Sequence, residues 1–371
     1  MRNRILLFAI ILIIIDSCAS THFVSVSDDQ LKANIKQHIS ALASDEFEGR
    51  ETGMPGEKKA SDYIIKEFKN AGIKPKGEDG FLQAFKFTLG AKYGPSTQLI
   101  INSTIYKPET DFIPLPYSSN NTVTGYITKV QYGITDPANK RDDYNGKINI
   151  SKKIFVIETG TPDGNDPHGK FGDWTDLRKK IDLAVSHGAS AVIFINSDTV
   201  ADDPKPDWKN HISASLIPVI FANKNVAHVL KDSVVTNCTI GTEIIKIEKT
   251  GHNVIGFINN KSTKTIVIGA HYDHLGYGDD GSLYRGAPAI HNGADDNASG
   301  TSALIELARF VKNSSLNKTN YMFIAFSGEE KGLLGSNYFV KHPTIDLKNV
   351  SCMINMDMLG RLKKDEKVLI M

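Results

Sequence analysis

Two apolar stripes at helical spacing lie near the start of the chain. Leu31, Ile35, Ile39 and Leu42 recur every three or four residues, and Ala60, Tyr63, Ile64 and Phe68 do the same. Such stripes predict two amphipathic helices within residues 28–72. Ser27 and Gln30 have the spacing of a capping box, and Gly72 stands where a helix terminator belongs. The connection between the two stripes, Asp45 to Gly53, is polar. From about residue 95 to 250 short β-rich runs alternate with turns, predicting strands at 123–130, 153–158, 191–195 and 217–221. One helix lies among them, with Leu177, Ile181, Ala184 and Val185 on one side and Gly188 at its end. The Pro- and Gly-rich stretch 161–172 reads as an exposed loop.

From residue 250 the pattern becomes strand, loop, helix, repeated. Thr265 to Ala270, Tyr321 to Phe326 and Val350 to Met356 are continuous apolar runs, as expected of strands buried on both faces. Helices are predicted at 299–312 and 335–341. The alternation implies an α/β fold with an open, largely parallel sheet.

Each of the three strands runs straight into polar chemistry. The first ends at His271, Tyr272 and Asp273, the second at Ser327, Gly328, Glu329 and Glu330, the third at Asn355, Met356 and Asp357. Ligands of open α/β sheets bind outside the carboxyl ends of the strands, so three parallel strands would deliver these groups to one edge. A fourth cluster, Gly293 to Gly300, places the adjacent carboxylates Asp295 and Asp296 just ahead of a helix. Taken singly, each piece reads as an ordinary cap, turn or surface pair; it is the four in order on alternating elements that point to a site. An imidazole with several carboxylates and no nearby thiol suits zinc, manganese or cobalt. So many carboxylates repel one another unless cations neutralise them, and two divalent ions about 3.5–4 Å apart sharing a carboxylate make a hydrolytic centre. Glu329 and Glu330 diverge as neighbours do, so one can hold metal while the other serves as general base.

The 371 residues allow about two domains, and the 40% hydrophobic content allows a large core. Lys+Arg 43 against Asp+Glu 42 leaves a formal charge of +1, which offers no electrostatic footprint for nucleic acid or an anionic membrane face. Arg2 and Arg4, then the apolar run Ile5 to Ile15, fit a bacterial export signal; a membrane span needs about 20 apolar residues. Cys18 follows a small residue with Ile15 three places before it, which resembles the lipobox of bacterial lipoproteins, with Asp16 as a departure. The expectation is an exported protein, periplasmic, outer-membrane or secreted, with a lipid anchor at Cys18 as its sole membrane attachment. Cys238 and Cys352 are expected as two buried thiols rather than a disulfide.

The four segments resemble the co-catalytic di-zinc metallopeptidases, the family of bacterial leucyl aminopeptidases and glutamate carboxypeptidase II. The run His38 to Gly53 looks like the opening of exported bacterial members, and the middle block resembles the protease-associated domain inserted in many of them. The resemblance implies a zinc-exopeptidase-like α/β fold, a mostly parallel mixed sheet sandwiched by helices with a β-rich insert. It divides the chain into a signal at 1–18, peptidase parts at 19–120 and 249–371, and the insert at 121–248. It implies two zinc ions, with His271 and Asp357 on one, Glu330 on the other and Asp296 bridging. Asp295 would be the neighbour that does not bridge. Glu329 would be the general base and Asp273 would orient His271. Peptides are the implied substrates and aminopeptidase action the leading reaction. Carboxypeptidase, dipeptidase or glutaminyl-cyclase chemistry uses the same site, and a metal-poor binding protein is the reading from another class. The family's fifth ligand, a His many tens of residues beyond Asp357, has no counterpart among Met358 to Met371, so a truncated chain with one complete and one incomplete metal position is expected. His274, His291 and His342 read as polar loop residues.

Overall fold

The computed structural model describes residues 27–164, 166–197, 203, 214–232, 237–278 and 281–361. Residues 1–18, read as an export signal, and Cys18 with them lie outside the described residues. The chain forms two compact units, one from the residues up to Phe85 and from Thr250 onward, the other from Lys86–Lys249.

The elements of the first unit are α1 (Asp28–Leu42), α2 (Pro55–Asn70), β1 (Lys74–Pro75), the start of β2 (Leu82–Tyr93), the end of β3 (Ile244–Ile258), β4 (Thr265–His271), α3 (Gly300–Lys312), β5 (Asn320–Phe326), α4 (Leu334–Lys341) and β6 (Val350–Asn355). Ser27 caps α1 by accepting the Gln30 N–H at 3.2 Å, and Pro55 opens α2, where its missing N–H costs nothing. The sheet order is β1-β3-β5-β4-β6, with β2 also paired to β3. β4 runs parallel to both β5 and β6, whereas β3 is antiparallel to β5 and β1. The sheet is therefore mixed, and its parallel part is the part that carries the three motifs. Helices α3 and α4 supply the crossovers that parallel neighbours require.

β5 is central, and all seven of its residues are buried. Tyr321, Phe323 and Ala325 join a core with Ile64, Phe68, Leu304, Ile305 and Ala308 from α2 and α3. Met322, Ile324 and Phe326 face the other way, against Phe339 of α4. Burial on both faces is why the strand reads as an unbroken apolar run; each large apolar side chain so buried contributes ~1.5–3 kcal/mol. Among the described residues β6 ends the order, paired with β4 alone, and is largely exposed. This corrects the expectation for Cys352, which is exposed; Cys238 is buried, and both thiols are free.

In the second unit the parallel strands Ile127–Lys129, Ile154–Glu158, Ala191–Ile195 and Val219–Ala222 form one sheet, with Phe112–Pro114 antiparallel at its edge. A second sheet is antiparallel, in the order Thr104–Tyr106, Gln98–Ile101, Cys238–Thr242, Asn121–Gly125. The run 123–130, which reads as one strand, is split at Tyr126 between the two sheets. Pattern alone does not register a change of partner inside an apolar stretch. The helix Leu177–Ser186 lies where the sequence predicts it, capped by Asp176. On it Lys180 is fully buried, its Nζ donating to the carbonyls of Glu158, Thr159 and Gly160.

Candidate metal centre

β4 ends at His271, and the chain then turns through Tyr272 to Asp273. The His271 imidazole is 4% exposed. Its Nε2 lies 3.2 Å from Asp296 Oδ1 and 3.3 Å from Asp357 Oδ1. β6, parallel to β4, brings Asp357 in from the adjacent strand end. Asp296 comes from the turn Ala294–Ser299 that leads into α3; the Asp296–Asn297 peptide is cis. On the other side of Asp296 stand His274 and Glu330, with His274 Nδ1 2.6 Å from Glu330 Oε1.

Two groups of ligand atoms result, each lying within 4.8 Å of one another: His271, Asp296 and Asp357, and His274, Asp296 and Glu330. Asp296 belongs to both. Asp295, its neighbour, belongs to neither; it turns toward Gly360 N and Arg361. One imidazole and two carboxylates in each group make a donor set that fits a divalent ion of the zinc, cobalt or manganese kind.

Glu329 sits outside both groups, with Oε2 4.0 Å from His271 Nε2. Asp273 is fully buried, and its carboxylate accepts the backbone N–H of Glu329 at 3.1 Å and of Glu330 at 3.3 Å, with the Thr52 hydroxyl at 3.0 Å. It stands 3.7 Å from His271 Nδ1, which has the Asp273 backbone oxygen nearer, at 3.2 Å. Asp273 thus lies between the imidazole and the two-glutamate turn. A cleft of about 170 Å³ opens beside these groups, lined by His271, Glu329 and Asp357 with the apolar Phe326, Leu333 and Met353.

The charges are strongly coupled. Burial disfavours the His271 imidazolium, yet the contacts with Asp273 and Asp296 and the charge of Glu329 outweigh it and push the group up to about 11. The contact with His271 holds Asp296 below the usual carboxylate range. Glu329 is raised, first by desolvation and then by the neighbouring Asp273, Glu330 and Asp357.

Several supporting residues carry no periodicity and were not singled out by sequence pattern. Arg50, 1% exposed, donates to the backbone carbonyls of Leu42, Tyr272, Asn292 and Gly293. Burial lowers its pKa to about 10, against the charges of Asp273, Asp296 and Glu330. Gly49 beside it has φ 67°, and a Cβ there would meet the Gly276 carbonyl at 2.5 Å, so only glycine fits. Glu57 bridges Ser327, Tyr272 and the amides of Gly53 and His252. The available signal was the polar run Glu48 to Gly53 lodged between two apolar stripes. His291 and His342 belong to neither group: His291 meets Ser282 with its ring 6.4 Å from that of His274, and His342 stacks on Tyr338, while His274, read from sequence as a loop residue, is on Glu330.

Residues 253–370 match the model of Peptidase family M28, and residues 119–230 match that of the PA domain. The chain is 32% identical over 193 residues to Aminopeptidase YwaD of Bacillus subtilis, covering 51% of this chain and 38% of that one. It is 24% identical over 342 residues to Probable lipoprotein aminopeptidase LpqL of Mycobacterium tuberculosis, covering 90% and 59%. A solved aminopeptidase from Aneurinibacillus sp. strain AM-1 is 26% identical with a TM-score of 0.45, covering 88% and 70%. The chain thus spans 38% and 59% of the length of these two curated relatives.

Proposed function

We propose that this chain, which belongs to peptidase family M28 and carries a PA domain, is an exported aminopeptidase that uses two zinc ions to remove N-terminal residues from peptides. The observation that carries the reading is the sharing of Asp296 between two ligand groups while Glu329 stands free of both. The relatives named aminopeptidases support the reaction class. His271 and Asp357 would hold one ion, Glu330 with His274 beside it the other, and Asp296 both. When bound, two such ions lower the pKa of a water toward ~7 and polarise the scissile carbonyl.

The chain's own groups do the rest. Glu329, raised by burial and by its acidic neighbours, accepts a proton from the attacking water and returns it to the leaving amine, a transfer typically worth about 10²–10⁴-fold in rate. Asp273 holds the Glu329–Glu330 turn by its backbone, so the base and the ligand point to different sides. In this reading residues 19–120 and 249–371 form the peptidase and 121–248 the insert. The basic and apolar start with Cys18 supports export with a lipid anchor, as does a relative named a lipoprotein aminopeptidase.

The test is hydrolysis of aminoacyl-anilides by the purified protein with zinc, cobalt or manganese. Cleavage that Glu329→Gln removes, with the metal content unchanged, supports the proposal. A folded protein that binds these metals and cleaves no aminoacyl-anilide would sink it.

A further inference from the structure

The segment Asp295–Ser299 carries four polar side chains, and only Asp296 is directed at the ligand groups. The other three converge on a different target. Beyond Met356, whose N–H still pairs with the Gly269 carbonyl of β4, the sheet hydrogen bonds stop and the chain turns, with Met358 at φ 51°. Three successive backbone N–H groups of that turn are taken up by side chains. Met358 N–H donates to Asn297 Oδ1 at 3.3 Å, Leu359 N–H to Ser299 Oγ at 2.9 Å, and Gly360 N–H to Asp295 Oδ1 at 2.7 Å. Asn297 closes the set from its other side, with Nδ2 donating to the Met356 carbonyl at 3.0 Å. Asn297 is fully buried, and its Oδ1 also accepts the Gly300 N–H at the start of α3. A Cβ on Gly300 would lie 2.6 Å from the Met356 carbonyl, so the two segments approach as closely as backbone allows.

We propose that Asp295, Asn297 and Ser299 are positioning residues that template the turn Met356–Gly360, and thereby set Asp357 opposite His271 and Asp296. Asp357 has no regular secondary structure to hold it: it lies two residues beyond Asn355, the last residue of the largely exposed strand β6. Its carboxylate nonetheless stands 3.3 Å from His271 Nε2 and within 4.8 Å of the Asp296 ligand atom, a placement that a loose turn would not keep. Three side-chain acceptors on consecutive amides, with one donor returned to Met356, fix the backbone on both sides of Asp357. The segment that supplies the shared carboxylate thus also spaces its partner carboxylate. The inference rests on the proposed metal reading only for its consequence on binding; the template itself is a property of the chain.

Two measurements on the full chain separate the two. Hydrogen–deuterium exchange of the metal-free protein, read on peptides covering 353–361, reports the template directly. Zinc and cobalt titrations, with the cobalt absorption spectrum, report the consequence. Asn297→Ala is expected to speed exchange in 356–360 at least tenfold and to weaken zinc binding by about 10–100-fold, as loss of an outer partner of a ligand commonly does. Asp295→Ala is expected to release Gly360, while Asp295→Asn, which keeps Oδ1, restores protection. Ser299→Ala is expected to release Leu359. The Asp295 pair and Ser299→Ala keep the test decisive if Asn297→Ala does not fold. Unchanged exchange in the folded variants would overturn the template whatever the metal data show. Faster exchange in a protein that binds neither zinc nor cobalt would uphold the template and reject the metal reading instead.

Discussion

Asp273 accepts the backbone N–H of Glu329 at 3.1 Å with one carboxylate oxygen, and that of Glu330 at 3.3 Å with the other. One buried side chain on the strand-end loop of β4 therefore fixes the two-glutamate turn after β5. Asp273→Asn replaces one acceptor oxygen with a donor that faces a backbone N–H. The expected result is a loss of about 10–100-fold in zinc affinity together with a drop in peptide hydrolysis. Zinc titration and steady-state rates on the same preparation check it; both within twofold of wild type would remove the anchoring role.

Because Asp296 is common to both ligand groups and Asp357 to one, their replacements should differ in stoichiometry. Asp296→Ala is expected to abolish binding of both ions, and Asp357→Ala to weaken only the one on His271. Elemental analysis after dialysis against dilute zinc distinguishes them. Equal loss in the two variants would contradict the shared role.

Arg50 holds four backbone carbonyls from within the core. Arg50→Met leaves them facing an apolar chain, and a buried polar group without a partner costs ~1–3 kcal/mol. A loss of at least about 3 kcal/mol is expected in urea unfolding of the metal-free protein. Arg50→Lys should recover little, since an ammonium is a compact donor and cannot span carbonyls that a planar fork reaches. A loss below about 1 kcal/mol would show that water or rearrangement satisfies them.

Burial lowers Lys180 from 10.5 to about 8, despite the charges of Asp143 and Glu158. Between those values the unfolded chain holds a proton that the folded chain has released. Stability from this group therefore rises with pH from about 8 to 10.5 and is lost as pH falls through 8. Cys238 and Tyr117, raised by burial to about 12, act in the opposite sense at high pH. A comparison with Lys180→Met cancels them. The thermal midpoint of wild type should gain on that of the variant across this window. Tryptophan fluorescence is suited to it, because Trp174 is buried in the unit Lys86–Lys249. A constant difference would mean that Lys180 stays charged in the fold.

The helices α1, α2, α3 and α4 and the strands β4, β5 and β6 were legible because burial imposes a period on side chains. Stripes at three and four residues and unbroken apolar runs record which faces are covered. The run 123–130 shows where this fails: both halves are strand, but they belong to different sheets, and no period registers a change of partner. Cys352 shows a second failure, since an apolar strand reads the same whether it is central or at an edge.

The sequence by itself determined the residue types of the centre and their attachment to three strand ends and one helix start, because chemistry and periodicity are both local. Only the tertiary structure decided which of Asp295 and Asp296 faces the ligand groups, put His274 on Glu330, and gave Asp273, Arg50 and Asn297 their partners. Adjacent carboxylates look alike in sequence. What separates them is the direction of each side chain, and that is set by hydrogen bonds to backbone groups some 60 residues away, from Asp295 to Gly360 and from Asn297 to Met356.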